Sequence, residues 1–175
     1  MPGMGARLVR LQGGDVVPLV RAIEENWNSL HDWMLWAAEP PTLIERTADL
    51  LSAHDRWERG EAYEYKIVMD EEPARIAGRV ALRIKDREGD IGYWLAEEHR
   101  GKGLVTAAVM ALEQVMTQMP QIESAVIFCD AANTDSAAVA RRAGYELEEI
   151  FEEPPKVPAG SGRMMRWRRQ IAPRS

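Results

Sequence analysis

Residues 91–106 read IGYWLAEEHRGKGLVT, and the fold turns on how this stretch is read. Ile91 to Leu95 is a short apolar, aromatic run that predicts a buried strand. A polar break, Ala96 to His99, leads into Arg100-Gly101-Lys102-Gly103, and from Leu104 the pattern becomes helical. A strand, a glycine-rich turn and a helix start in that order aim unpaired backbone N–H groups at an anion. Gly101 and Gly103 permit positive φ and leave the backbone uncovered, while Arg100 and Lys102 add charge. The chain contains no GxxxxGK[ST] string, which excludes a P-loop, and no third glycine completes GxGxxG after Gly103. A phosphorylated ligand of another kind is expected at this turn.

Working outward, 175 residues suit one domain with a substantial core, taken as 1–175, with the sheet and helices in 6–151 and a last strand and tail in 152–175. Hydrophobic content of 46% and charged content of 29% are those of an ordinary globular protein. The net charge of −6 argues against general nucleic-acid binding and gives a soft bias towards a cationic or amine substrate. Cys129 is the only cysteine, so an internal disulfide and a Cys-rich zinc site are both ruled out. Its place at the end of AVIFCD favours a buried structural thiol. His31, His54 and His99 show no ligand spacing, and no metal is expected. No apolar stretch approaches a membrane span, and MPGMGARLVR lacks the apolar region of a secretory signal, so no membrane partner is expected and the cytoplasm is the default. The oligomeric state is not legible, and a homo-oligomer is left open.

Periodicity predicts a first strand over 6–12, a helix over 15–30 and, after Pro40-Pro41, a second helix from Thr42 to about Gly60. Tyr63 to Met69 and Arg75 to Ile84 alternate and flank the turn DEEP, as antiparallel strands do. After the strand 91–95 and the helix of the glycine turn come a fifth strand at Ala125 to Cys129, a helix from Asn133 to Gly144, and two strands at Tyr145 to Phe151 and Met164 to Trp167. The expected architecture is α/β, with a mixed sheet of six to seven strands and about four helices.

That order, with IGYWLAEEHRGKGLVTAAV, CDAANTDSAAVARRAGYELE and the weaker DWMLW, resembles the GCN5-related N-acetyltransferase superfamily, and more narrowly its RimJ/RimL branch of ribosomal-protein acetyltransferases. The likeness runs from about Arg7 to Phe151. It implies splayed fourth and fifth strands, with the pantetheine arm of acetyl-CoA along the backbone of Trp94, Leu95 and Ala96. The pyrophosphate would then lie on the N–H groups of Arg100, Gly101, Lys102, Gly103, Leu104 and Val105. Val105 departs from the small residue that the family motif has there; it either turns inward at no cost or widens the loop and weakens binding. The implied activity is transfer of an acetyl group from acetyl-CoA to a primary amine by direct attack. A protein N-terminal α-amine is the first acceptor implied, a polyamine or antibiotic the alternative. A non-catalytic acyl-CoA-binding regulator on the same fold is the rival.

For the chemistry, Asn133 and Ser136 stand as N-x-x-S at a helix start. Both fit ordinary capping, and the resemblance implies that Asn133 holds the cofactor and that Ser136 lies near its sulfur. Where many relatives carry a tyrosine acid, seven residues after the Asn, this chain has Ala140. An amine of pKa about 8–10 must lose a proton before attack, and a carboxylate acting through water serves that purpose. Asp90, with Glu88 two residues earlier, is the candidate, although REGD also reads as a turn. Trp33 and Trp36, in HDWMLWAAEPP, either wall the substrate pocket or pack in the core.

Overall fold

The computed structural model describes residues 1 and 3–172. Its strands are β1 (Ala6–Arg10), β2 (Ala62–Met69), β3 (Gly78–Lys85), β4 (Glu88–Leu95), β5 (Ser124–Asp130), β6 (Glu146–Glu152) and β7 (Arg163–Gln170). The helices are α1 (Val16–Glu25), α2 (Trp27–Trp33), α3 (Leu43–Glu58), α4 (Leu104–Met116) and α5 (Thr134–Arg142). All seven strands form one sheet in the order β1-β2-β3-β4-β5-β7-β6. Every neighbouring pair is antiparallel except β4 and β5. A parallel pair needs a crossover, and α4, the helix opened by the glycine turn, supplies it.

The sheet is covered on both faces. Leu104, Ala108, Val109, Leu112 and Met116 of α4 share the main core with Val80, Leu82, Ile91, Ala125 and Ile127. Leu19, Ile23, Leu30 and Leu50, from α1, α2 and α3, share a second core with Trp94. Because side chains alternate along a strand, β4 is two-sided: Gly89, Ile91, Tyr93 and Leu95 face α4, while Glu88, Asp90, Gly92 and Trp94 face the side of α1 to α3. A Cβ on Gly89 would collide with Met116 and Leu82, so this position must stay bare for α4 to lie close.

One expectation needs correction. The helix predicted over 15–30 is two helices, which raises the helix count from about four to five. Asn26 leaves helical geometry at φ −118° and ψ 17°. Its side-chain amide donates to the carbonyl of Ala22 (2.9 Å) and its side-chain oxygen accepts from the N–H of Glu97 (2.9 Å). A polar side chain that bonds to backbone in this way competes with the helix. The bend turns α2 towards the splayed end of β4.

On the α1-to-α3 side of β4, β5, β7 and β6, charged side chains interlock. Glu88 is clasped by Arg166 (2.6 Å), Arg168 (3.5 Å) and the hydroxyl of Ser124 (3.1 Å), and Glu148 pairs with the same two arginines. Burial pushes the Glu88 carboxyl up, but these partners outweigh it and hold it below the usual carboxylate range.

Candidate active site

The parallel pairing of β4 and β5 lasts for only three residue pairs, Glu88 with Ser124, Gly89 with Ala125 and Asp90 with Val126. Beyond Asp90 the strands separate. The N–H of Ala96 donates to the carbonyl of Ala77 on the β3 side (2.8 Å). By alternation Trp94 and Gly92 also turn their backbone groups to β3, and Ile91, Tyr93 and Leu95 turn theirs into the gap. Leu95 thus offers the gap backbone groups, while Trp94 and Ala96 spend theirs within the sheet.

The gap leads to the glycine turn. Gly101 and Gly103 have φ of 73° and 76°, and Gly103 is the left-handed residue immediately before α4. Nothing lies within 4 Å of where a Cβ on Gly101 would stand, and only the Met4 terminal methyl, at 3.7 Å, approaches that point on Gly103. Ala107 makes the first helical hydrogen bond, to the carbonyl of Gly103 (3.0 Å), and the N–H groups of Leu104, Val105 and Thr106 have no partner among the described residues. Arg100 and Lys102 are exposed and make no ion pair among the described residues. A bare, left-handed turn with free N–H groups and two unspent cations fits a pyrophosphate. Val105 is buried in the main core beside Leu104 and Ala108, so its isopropyl group points away from the turn.

At the other end of the gap is a cavity of about 240 Å³. Its walls are Ile91, Gly92 and Tyr93 of β4, Phe128, Cys129 and Asp130 of β5, Asn133 and Ser136 of α5, Trp33 and the following Met34 and Leu35, and the β6–β7 connection around Glu153 to Val157. Trp33 is half-buried here. Trp36 stands outside the lining, 39% exposed, with the Arg46 guanidinium 5.6 Å from its ring centre.

Asn133 and Ser136 divide the work at the start of α5. The Asn133 side-chain oxygen accepts from the N–H of Ser136 (3.0 Å) and so caps the helix. The Ser136 hydroxyl is not needed for capping and lies 2.9 Å from the phenol of Tyr93. Ala140 is fully buried.

The three carboxylates in and beside the cavity differ in what they are free to do. Asp130 accepts from the N–H of Ala132 (2.8 Å), the N–H of Ser161 (2.8 Å) and the hydroxyl of Ser161 (2.6 Å). Burial raises its pKa, yet these donors outweigh burial and hold it low. It therefore anchors the β6–β7 connection and stays ionised. Glu153 is paired with Lys156 at 2.6 Å. Asp90, at the root of the splay, has one ion pair, with Arg83 at 3.3 Å. Burial raises its pKa and Arg83 only partly offsets this, so the carboxyl stays above the usual range. A Cβ on Gly92 would meet the Arg83 guanidinium at 3.1 Å, so that guanidinium lies across the bare face of Gly92. Of the two candidate bases, Glu88 is locked in the ion-pair lattice and Asp90 has Arg83 as its partner; both stand outside the cavity lining, Asp90 at its edge beside Ile91.

Tyr93, Asp130 and the β6–β7 connection also line the cavity, and sequence alone does not single them out. Tyr93 stands inside an apolar run that reads as core. Asp130 ends a strand, where an acid reads as a turn residue, and its tie to Ser161 spans 31 positions.

A family model described as an acetyltransferase (GNAT) domain matches residues 7–146. The ribosomal-protein-serine acetyltransferase of Escherichia coli is 32% identical over 96 residues, which cover 55% of this chain and 54%, about half, of that relative's length. Among solved structures, RimL, a ribosomal L7/L12 alpha-N-protein acetyltransferase in complex with coenzyme A, superposes with a TM-score of 0.87 at 24% identity, covering 95% of this chain and 94% of that one. The microcin C7 self-immunity acetyltransferase MccE, in complex with acetyl-CoA and AMP, gives 0.86 at 24% identity, over 95% and 93%.

Proposed function

This chain belongs to the acetyltransferase (GNAT) domain family, and from that premise we propose that it moves the acetyl group of acetyl-CoA to the α-amine at the N-terminus of a protein. The observation that carries the choice of acceptor is the poverty of free acids around the cavity. A polyamine or an aminoglycoside brings several positive charges, each of which is costly to desolvate without a partner. The lining offers only Asp130, already satisfied by Ser161 and Ala132, and Glu153, already paired with Lys156. The rest is largely apolar, with Trp33, Met34, Leu35, Phe128, Pro154 and Val157. A single amine followed by a peptide chain suits such a wall, and the E. coli relative is named for a protein acceptor.

When bound, acetyl-CoA supplies an activated acetyl thioester. The turn Arg100–Gly103 and the first N–H groups of α4 hold its pyrophosphate, and the backbone of Ile91, Tyr93 and Leu95 aligns the arm and polarises the carbonyl. The split sheet then separates the two proton transfers. Asp90 lies on the α1-to-α3 face, where it takes a proton from the incoming amine through water. Ser136 lies on the α4-to-α5 face, where its hydroxyl meets the departing sulfur. Attack and departure thus use opposite sides of one gap.

The test is a thiol-release screen with N-terminal peptides, polyamines and aminoglycosides. Peptide α-amines are expected to turn over well above the other two classes. Faster turnover of polyamines or aminoglycosides would overturn the acceptor assignment, and coenzyme A binding without any turnover would leave a regulator.

Two further outcomes follow from the walls. Trp33→Ala is expected to raise the acceptor KM severalfold and to spare coenzyme A affinity, while Trp36→Ala changes neither. A core role for Trp33 would instead cost about 3–5 kcal/mol in a thermal melt. Asp130→Asn replaces an acceptor of several hydrogen bonds by one that can accept fewer, and should release the β6–β7 connection. The acceptor KM should rise while coenzyme A affinity holds. Because the folded pKa of Asp130 is depressed, its stabilising contribution is present above the ordinary carboxylate pKa and disappears as pH falls through the folded value. The variant should accordingly melt lower than wild type at neutral pH and converge with it in acid.

A further inference from the structure

Resting on the assignment of Ser136 as the proton donor, we infer that Tyr93 is the positioning residue that aims the Ser136 hydroxyl at the leaving sulfur. The two groups come from different elements, β4 and the first turn of α5, and meet only because the sheet splits between β4 and β5. The phenol lies 2.9 Å from the Ser136 side-chain oxygen and 3.3 Å from the Ser136 carbonyl.

Either hydroxyl can donate across the shorter contact, and the positioning role requires that the phenol does. The carbonyl can only accept, so a phenol that donated to it would leave the serine to donate to the phenol, with its proton turned away from the cavity. The contact with the side-chain oxygen is the shorter one and falls at the usual length for O–H···O pairs. With the phenol donating there, the serine proton has no partner in the pair and points into the cavity that Ser136 and Tyr93 both line. Burial keeps the Tyr93 phenol protonated far above neutral pH, so it remains a donor throughout the working range.

Ala140, seven residues after Asn133, carries a methyl group buried in the core and stands outside the cavity lining. A phenol supplied from β4 instead works at one remove, through the serine. No proton leaves Tyr93 in the step: as the C–S bond breaks, the Ser136 hydroxyl passes its proton to the sulfur while a water gives one to the serine oxygen, so that no serine alkoxide forms. The Tyr93 donor bond holds the serine oxygen in place during this exchange.

The test is a double-mutant cycle on Tyr93→Phe and Ser136→Ala, with kcat, the KM of both substrates, coenzyme A affinity by calorimetry and a thermal melt for each protein. Ser136→Ala should lower kcat by at least about 10²-fold. Tyr93→Phe should lower it about five- to tenfold, the usual worth of one hydrogen bond, with coenzyme A affinity within twofold of wild type. In the Ser136→Ala background, Tyr93→Phe should cost nothing more. A Tyr93→Phe loss that repeats in full in that background would overturn the proposal, because the phenol would then act without the serine. So would an unchanged kcat in Tyr93→Phe accompanied only by a lower melting point, which marks a packing role. An unchanged kcat in Ser136→Ala alone would remove the donor, and with it the proposal, while leaving acetyl transfer intact. Absence of turnover in the wild type overturns both.

Discussion

Asp90→Asn is expected to lower kcat at neutral pH by about 10²–10⁴, the range over which general bases contribute. Asparagine keeps the shape and the hydrogen bond to Arg83, so packing at the root of the splay should survive. What disappears is a carboxylate whose pKa is raised by burial and only partly offset by Arg83. The pH profile gives the sharper readout. In the wild type, activity should rise with pH through the Asp90 pKa, above the ordinary carboxylate range, as the base ionises. The variant should lose that limb and recover activity above about pH 8, where an α-amine sheds its own proton. Glu88→Gln makes the contrast. Glu88 is held ionised by Arg166, Arg168 and Ser124, so its removal should lower stability and leave the pH profile unchanged. Since its folded pKa is depressed, that stability difference should vanish as pH falls through the folded value. A fully active Asp90→Asn protein would remove Asp90 from the mechanism and direct attention to Glu153, which lines the cavity with Asp130.

The parts of this site that sequence reasoning reached are those set by local rules. A glycine turn between an apolar strand and a helix declares itself in six residues, because left-handed backbone and free N–H groups depend on neighbours in the chain. Asn133 was legible as a helix start for the same reason, and the cap is present. What sequence left undecided was every direction a side chain takes in three dimensions. Val105 faces the core, and Ser136 is released from capping by Asn133, yet neither fact is encoded in the spacing. Tyr93 reads as one more apolar strand residue until the sheet is split beside it. The break at Asn26 is not legible because an Asn within a helical period is tolerated locally, and one of its two side-chain bonds reaches Glu97, 71 positions away.

Gly103→Asp should abolish useful coenzyme A binding. At φ +76° any side chain is strained, by about 1–2 kcal/mol in this region, although Asp bears it better than most residues. A carboxylate there also stands against the pyrophosphate in place of a bare turn. Two unit charges at 4 Å repel by about 1 kcal/mol in bulk water and about 4 kcal/mol at a protein surface. The strain weighs on the stability of the turn, and the repulsion from a dianionic pyrophosphate predicts a loss of about 10²-fold or more in affinity. Gly103→Ala separates the terms, since alanine brings the strain without the charge and should lower the melting point while costing little affinity. Added salt should recover part of the aspartate loss and leave the affinity of the alanine variant unchanged, because screening acts on charge alone. Val105→Ala completes the set. Its side chain is buried in the core, so it should lower the melting point by the loss of packing and leave affinity unchanged. A folded Gly103→Asp protein that binds coenzyme A as wild type does, by calorimetry, would place the pyrophosphate away from this turn. The free N–H groups of Leu104, Val105 and Thr106 would then need water as their partner.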